Sequence, residues 1–476
     1  MAERYDVIIV GGGSAGCVLA GRLSEHPARR VCLVEAGPDY GPYTAGGWPE
    51  DLLDPRALVF TRDWGTGGED DRSLGARVIG GCSTHNACLV LEGAPADYDE
   101  WGPDWSYAIL APYLERAMAA LRTAAANTDL PAPFHRAFIA AAEEVGFPLL
   151  DDMNDPTLPI GVAAAPANVV AGVRWNAAFA YLDPARARPN LTVLGDALVD
   201  RVLLSDTRAV GALLADGRQL DADTVVLSAG AYFTPAILLR SGIGPEVELR
   251  RHGIPVVVAL PVGERLLDHC GSGIAWEPTE KLQALTATHM RETGGLFEPH
   301  AVLKAASSAC LAGGWDIHLL PWTNAVKGTR DRFETTCGCF HMKPLSAGRV
   351  RLRSPDPTDL PEVERGFLER APDTAVIIEA LEVARTVASA EPLHGLLARE
   401  LEPAGRELEK YVTETVRNYF HPAGTCAMEE VTDVRGRVFG TDGLLVADAS
   451  LMPTIPSSNT NLTTLAIADR IAETFC

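Results

Sequence analysis

The 476-residue chain has no apolar run near 18 residues, so nothing in it reads as a membrane-spanning helix. Basic residues are scarce: 41 Lys and Arg against 63 Asp and Glu leave a net charge of −22. Such a chain is repelled by phosphate backbones and anionic surfaces, so nucleic acid is not an expected partner. No CxxC pair occurs. Cys337-Gly338-Cys339 is the one close pair, and no second pair or histidine cluster completes a zinc site, so no metal is expected. The ten cysteines, scattered from Cys17 to Cys476, read as reduced and mostly buried thiols. A secretory leader is also missing, because Met1-Ala2-Glu3-Arg4 runs straight into the strand-length Tyr5-Asp6-Val7-Ile8-Ile9-Val10. The reading is a soluble, cytoplasmic protein without internal repeats or low-complexity linkers. What is present is ordinary globular composition, 47% hydrophobic and 22% charged, which excludes disordered and fibrous classes. At about 150 residues per domain the length suggests roughly three domains, or two large ones.

The opening strand is followed by Gly11-Gly12-Gly13-Ser14-Ala15-Gly16 and then by Cys17 to Leu23, which has helical periodicity. Strand, glycine turn and helix form the context in which a helix N-terminus receives a dinucleotide pyrophosphate. A second strand, Arg30 to Val34, ends in Glu35-Ala36-Gly37, a carboxylate about 20 residues after the glycines, suited to a ribose. An acid there disfavours NADP and leaves NAD and FAD open. Further strands are expected at Leu191 to Leu194, Val199 to Leu204, Thr224 to Leu227 and Leu444 to Asp448, with a closing helix over Ala466 to Phe475.

Five stretches stand out along the chain: the glycine turn; Arg77-Val78-Ile79-Gly80-Gly81-Cys82-Ser83-Thr84-His85-Asn86-Ala87; Gly230 to Gly244; Pro261-Val262-Gly263-Glu264 leading to Asp268-His269; and Phe420-His421-Pro422 with Asp448-Ala449-Ser450 to Asn459-Thr460-Asn461. On these motifs the chain resembles the glucose-methanol-choline (GMC) flavoprotein oxidoreductases. The resemblance implies FAD rather than NAD, in a glutathione-reductase-like Rossmann-type α/β domain interleaved with an α+β substrate domain on an antiparallel sheet. The expected FAD segments are 1–140, 182–271 and 420–476; the substrate segments are 141–181 and 272–419.

By the same resemblance the FAD contacts are Gly11, Gly13, Ser14, Ala15, Gly16, Glu35, Ala36, Arg77, Gly80, Gly81, Ser83, His85, Asn86, Ala87, Val199, Ala229, Asp448, Ala449, Asn459 and Thr460. Choline-oxidising members carry a similar Gly-Gly-Cys-Ser-x-His-Asn run whose histidine bonds covalently to the flavin, which makes His85 the expected attachment point. His421 and Asn459 match the family's catalytic pair: an imidazole to take the hydroxyl proton and an amide to orient the alcohol oxygen while hydride leaves for FAD. Ile274-Ala275-Trp276-Glu277 looks like the strand that carries a substrate-facing glutamate in choline-oxidising members. Glu277 then reads either as an anchor for a cationic alcohol or as a surface Glu at a strand end. Ala87, where those members have a serine hydroxyl, speaks against choline itself. The implied activity is oxidation of a primary or secondary alcohol, such as an amino alcohol, an amino sugar or a bulky natural-product alcohol, with oxygen or another electron acceptor. The alternative is a hydroxynitrile-lyase-type reaction on the same scaffold, and a homodimer is the family's expected assembly.

Overall fold

The structure is a computed structural model, and it describes all residues except 1–3, 57–58, 66–72, 126–130, 297–300, 327, 330–331 and 476. Cys476 and the first three residues therefore lie outside the described chain. The other nine cysteines are free, and most are buried.

Two sheets organise the molecule. The first has the order Leu191–Leu194, Val31–Val34, Arg4–Val10, Gln219–Leu227, Arg208–Leu214, Val199–Ser205, with Leu444–Val446 also on Gln219–Leu227. Its first four strands and Leu444–Val446 run parallel, while Arg208–Leu214 returns antiparallel against both of its neighbours. Val7, Ile8, Ile9 and Val10 are all buried, the continuous β-branched pattern of a parallel strand covered on both faces. Each such side chain contributes roughly 1.5–3 kcal/mol by leaving water. Helices Ser14–Leu23 and Thr460–Glu473 cover one face and pack on each other. Gly11 holds φ +98°, and a Cβ on Gly16 would stand 1.9 Å from the Gly11 carbonyl oxygen, so strand and helix close together only with glycine at both positions.

The second sheet is antiparallel throughout: Leu397–Glu402, Cys270–Pro278, Phe333–His341, Ile317–Ala325, Ala301–Ala305, Gly161–Ala164, with Arg417–Asn418 pairing the start of Cys270–Pro278. Period-two alternation divides its faces. Ile317, Leu319, Cys337 and Cys339 turn into a core shared with helices Pro133–Glu144 and Ala371–Ala388. Leu320, Trp322, Gly338 and Phe340 turn toward a cavity between the two sheets.

The two cores part a few residues away from the expected segment ends. Helix Pro133–Glu144 packs entirely on the second sheet, so an end at 140 cuts through it. Ala177, Ala178, Phe179 and Leu182, expected for the most part with the substrate segments, pack in the first core beside Ser14–Leu23. Composition carries no signal at either junction, because both cores draw on the same apolar residues. Among the described residues no helix is long and apolar enough to cross a membrane.

Candidate active site

A cavity of about 680 Å³ runs from the glycine turn to the inner face of the second sheet. At one end Glu35 is buried, with its carboxylate accepting the Gly12 and Gly37 N–H groups at 2.8 Å each. Burial raises its pKa against those hydrogen bonds. Helix Ser14–Leu23 starts at Gly13 without a side-chain cap, so its first N–H groups are free for a phosphate. Ser14 donates to Asn461 Oδ1 at 2.6 Å, which ties this turn to the helix that closes the chain. The uncapped helix start, the buried carboxylate and the length of the cavity fit an adenine dinucleotide.

Most of the residues expected to touch FAD line this cavity: Gly11, Gly13, Ser14, Ala15, Glu35, Ala36, Gly81, His85, Asn86, Ala87, Val199, Ala229, Asp448, Ala449, Asn459 and Thr460. Four do not, and each has other work. Gly16 is the packing point described above. Arg77 donates to the Ala36 carbonyl at 3.0 Å and stacks its guanidinium 4.9 Å from the Trp64 ring. Gly80 takes a left-handed turn at φ +91° and donates to Gly12 O at 2.7 Å. Ser83 donates to Gly80 O at 2.6 Å and accepts from the Ala177 N–H at 3.0 Å, so it buttresses the loop from behind. Asp448 lines the cavity, but its oxygens accept from Gly230 N, Thr234 Oγ1 and Ser450 N at 2.6–2.8 Å. It therefore pins the late segment to the start of helix Gly230–Arg240.

His85 also lines the cavity. Its Nδ1 is 3.1 Å from the Val59 carbonyl oxygen, which can only accept, so Nδ1 carries the proton and Nε2 is left with a lone pair. Burial and the Arg174 charge lower its pKa to about 4, so the ring is neutral at pH 7.

At the far end stand His421 and Asn459. Asn459 occupies the N-cap of helix Thr460–Glu473 yet makes no capping bond; its amide Nδ2 lies 3.0 Å from His421 Nε2 instead. Phe420 takes a left-handed backbone, φ +63°, an uncommon conformation for a bulky residue, immediately before His421. The His421 backbone N–H donates to Asp268 Oδ1 at 2.8 Å, and Asp268 pairs with Arg365 at 2.7 Å. Behind the ring, His421 Nδ1 is 2.8 Å from His269 Nδ1, and His269 Nε2 is 3.0 Å from the Pro456 carbonyl. The carbonyl only accepts, so His269 Nε2 bears the proton and its Nδ1 is a lone pair. His421 Nδ1 must then donate, and its Nε2 faces Asn459 unprotonated. His269 was only part of a motif in the sequence; its contact with His421 joins residues 152 apart, and no local spacing reports it.

Burial holds His421 at about 3 and likewise lowers His135 to about 3, while both return to about 6.5 when unfolded. Because both folded values are depressed, the stability they carry is present above pH 6.5 and is lost as the unfolded chain takes up protons below it. From pH 6.5 to 5 each imidazole should cost about 2 kcal/mol. Urea unfolding of the holoenzyme should show a midpoint that drops over this range, with a smaller drop in His135→Gln; a midpoint independent of pH contradicts these values.

Glu277 is not in the cavity. It has the parity of the lining residues Gly273 and Ala275, but the strand has passed the rim by that point. Its half-exposed carboxylate pairs at 2.7 Å with Arg399 on the adjacent strand. The surface reading of Glu277 is therefore the correct one.

A Rossmann-type fold with an uncapped phosphate-binding turn, joined across one cavity to an antiparallel sheet, defines a dinucleotide-dependent enzyme of interleaved architecture. Sequence models of the GMC oxidoreductase N- and C-terminal regions match residues 5–271 and 344–468, and the chain belongs to that family. It is 32% identical to the mitochondrial choline dehydrogenase of Homo sapiens, over 99% of this chain and 89% of that protein. It is 33% identical to the oxygen-dependent choline dehydrogenase of Paraburkholderia phymatum, over 99% and 92%. The solved pyridoxine 4-oxidase of Mesorbium loti superposes with a TM-score of 0.85 at 28% identity, covering 99% of each chain. The chain is a GMC-type alcohol oxidoreductase, and its cofactor is FAD.

Proposed function

We propose that the chain oxidises the carbinol of a small-molecule alcohol to a carbonyl, with His421 as the base and Asn459 as the group that orients the substrate oxygen. The observation that carries this reading is the tautomer chain from Pro456 through His269 to His421, which leaves a lone pair on Nε2 at the cavity surface. A hydroxyl that displaces the Asn459–His421 hydrogen bond gives its proton to Nε2 and accepts from Asn459 Nδ2. The charge that then develops on His421 is shared through Nδ1–H with His269 and, beyond it, with a backbone carbonyl. Bound FAD supplies the two-electron acceptor for the hydride, and oxygen or another acceptor takes the electrons onward.

The residues that hold FAD in this reading are the turn Gly11 to Ala15, Glu35, the Gly81 to Ala87 loop, and the Asp448–Ala449 and Asn459–Thr460 segments. His85 would hold FAD covalently: Nε2 of its neutral, cavity-lining ring would replace a proton lost from a methyl carbon of the flavin's dimethylbenzene edge, and the two electrons left on the flavin would pass to the same acceptor that serves turnover. With Glu277 outside the cavity, no unpaired carboxylate among the described lining residues supports an amino alcohol or amino sugar as substrate. Titrating the holoenzyme with alcohols in the absence of oxygen tests the reading. The visible flavin band should bleach with at least one alcohol, with one carbonyl product per flavin reduced. A band that persists with every alcohol, as in a lyase that keeps its flavin oxidised, contradicts it.

A further inference from the structure

The wall beside His421 is aromatic, and the ring faces of two of its residues, Phe340 and Tyr419, are already covered. Phe340 lies flat in a bed left by two glycines: a Cβ on Gly271 would stand 2.7 Å from its ring, and one on Gly338 2.5 Å. Its opposite face stacks on Tyr419, with centroids 3.9 Å apart and planes 5° apart. Tyr419 in turn sets its other face toward His421, with centroids 4.3 Å apart. The face of an aromatic ring carries the negative end of its quadrupole and the edge the positive end. A cation is drawn to faces, and this pair offers edges.

The charges around the cavity agree. Its three carboxylates, among the described residues, are Glu35 and Asp448 at the nucleotide end and Glu402 at the rim. The first two hold backbone N–H groups, and Glu402 is exposed and paired with Arg406 at 3.1 Å. The charged group that lines the mouth beside Asn418 is basic, Arg417, and Lys304 is buried behind the same wall as the cross-strand neighbour of His318. A cationic substrate carried to His421 would therefore give up its water for ring edges and like charge.

We infer that this site takes an uncharged aromatic alcohol and discriminates against cationic alcohols, choline included, although curated relatives are choline dehydrogenases. The inference rests on the alcohol-oxidising reading above and adds its substrate class. The edges of Phe340 and Tyr419 meet the face of a substrate ring in the edge-to-face arrangement, and Leu320 and Trp322 extend the apolar wall.

The test mixes the flavin-loaded enzyme anaerobically with benzyl alcohol, cyclohexylmethanol and choline and follows flavin bleaching. The second-order rate constant for benzyl alcohol should exceed that for choline by at least about thirtyfold. It should exceed that for cyclohexylmethanol by about fivefold. Choline reacting as fast as benzyl alcohol overturns the inference and leaves alcohol oxidation standing, whereas bleaching by none of the three overturns alcohol oxidation and the inference with it. Phe340→Leu uncovers one face of Tyr419, so a folded, flavin-loaded variant should raise the choline-to-benzyl-alcohol ratio about tenfold. An unchanged ratio in that variant overturns the covered-face argument.

Discussion

Replacing His421 with Ala is expected to lower kcat/KM for alcohol oxidation by about 10²–10⁴-fold while flavin content stays at the wild-type level. The loss is large because the Nε2 lone pair is the proton acceptor next to the reacting carbinol, and the substitution leaves no base in its place. Flavin content should hold because the glycine turn and Glu35 lie at the opposite end of the cavity. His269→Gln should give a smaller loss of a different kind. Without the Nδ1 acceptor, His421 is free to adopt the other tautomer, with Nε2 protonated toward the substrate. Its signature is a fall in kcat with little change in KM, together with a displaced pH profile. If His421→Ala turns over at the wild-type rate, the assignment of the base is wrong.

The second large effect concerns the flavin itself. Acid precipitation of the wild-type protein should carry the yellow colour into the pellet, and His85→Ala should leave it in the supernatant. The geometry gives a reason for the difference: Val59 O fixes the Nδ1 proton, burial keeps the ring neutral, and the remaining lone pair is on Nε2 of a ring that lines the cofactor cavity. Wild-type flavin released entirely into the supernatant would exclude the covalent bond and leave His85 as a noncovalent neighbour of FAD.

How much of this was legible in the sequence depended on whether the information was local. The Gly11 to Gly16 turn and Glu35 could be read directly, because strand, turn and helix geometry dictates their spacing. The antiparallel second sheet and the His421–Asn459 pair came through the family resemblance alone; a buried histidine before a proline has no pattern of its own. Glu277 shows where alternation stops informing: parity names the face of the strand correctly but not how far along the strand the cavity extends. Arg77, Gly80, Gly16 and Ser83 belong to the right motifs but serve the loop's own packing, which spacing does not distinguish from ligand contact. Phe340 and Tyr419 were silent, because their stacking depends on glycines on a neighbouring strand and two residues back on the same one.

In the proposed reaction His421 takes a proton while hydride leaves the same carbinol for FAD. Stopped-flow bleaching of the flavin by benzyl alcohol, compared with its carbinol-dideuterated form under anaerobic conditions, tests this most directly. Bleaching should run to completion, slower with the deuterated alcohol, and should be severely slowed for both in His421→Ala. Bleaching at the same rate for both alcohols and in both proteins, or a flavin that stays oxidised while product forms, would contradict it.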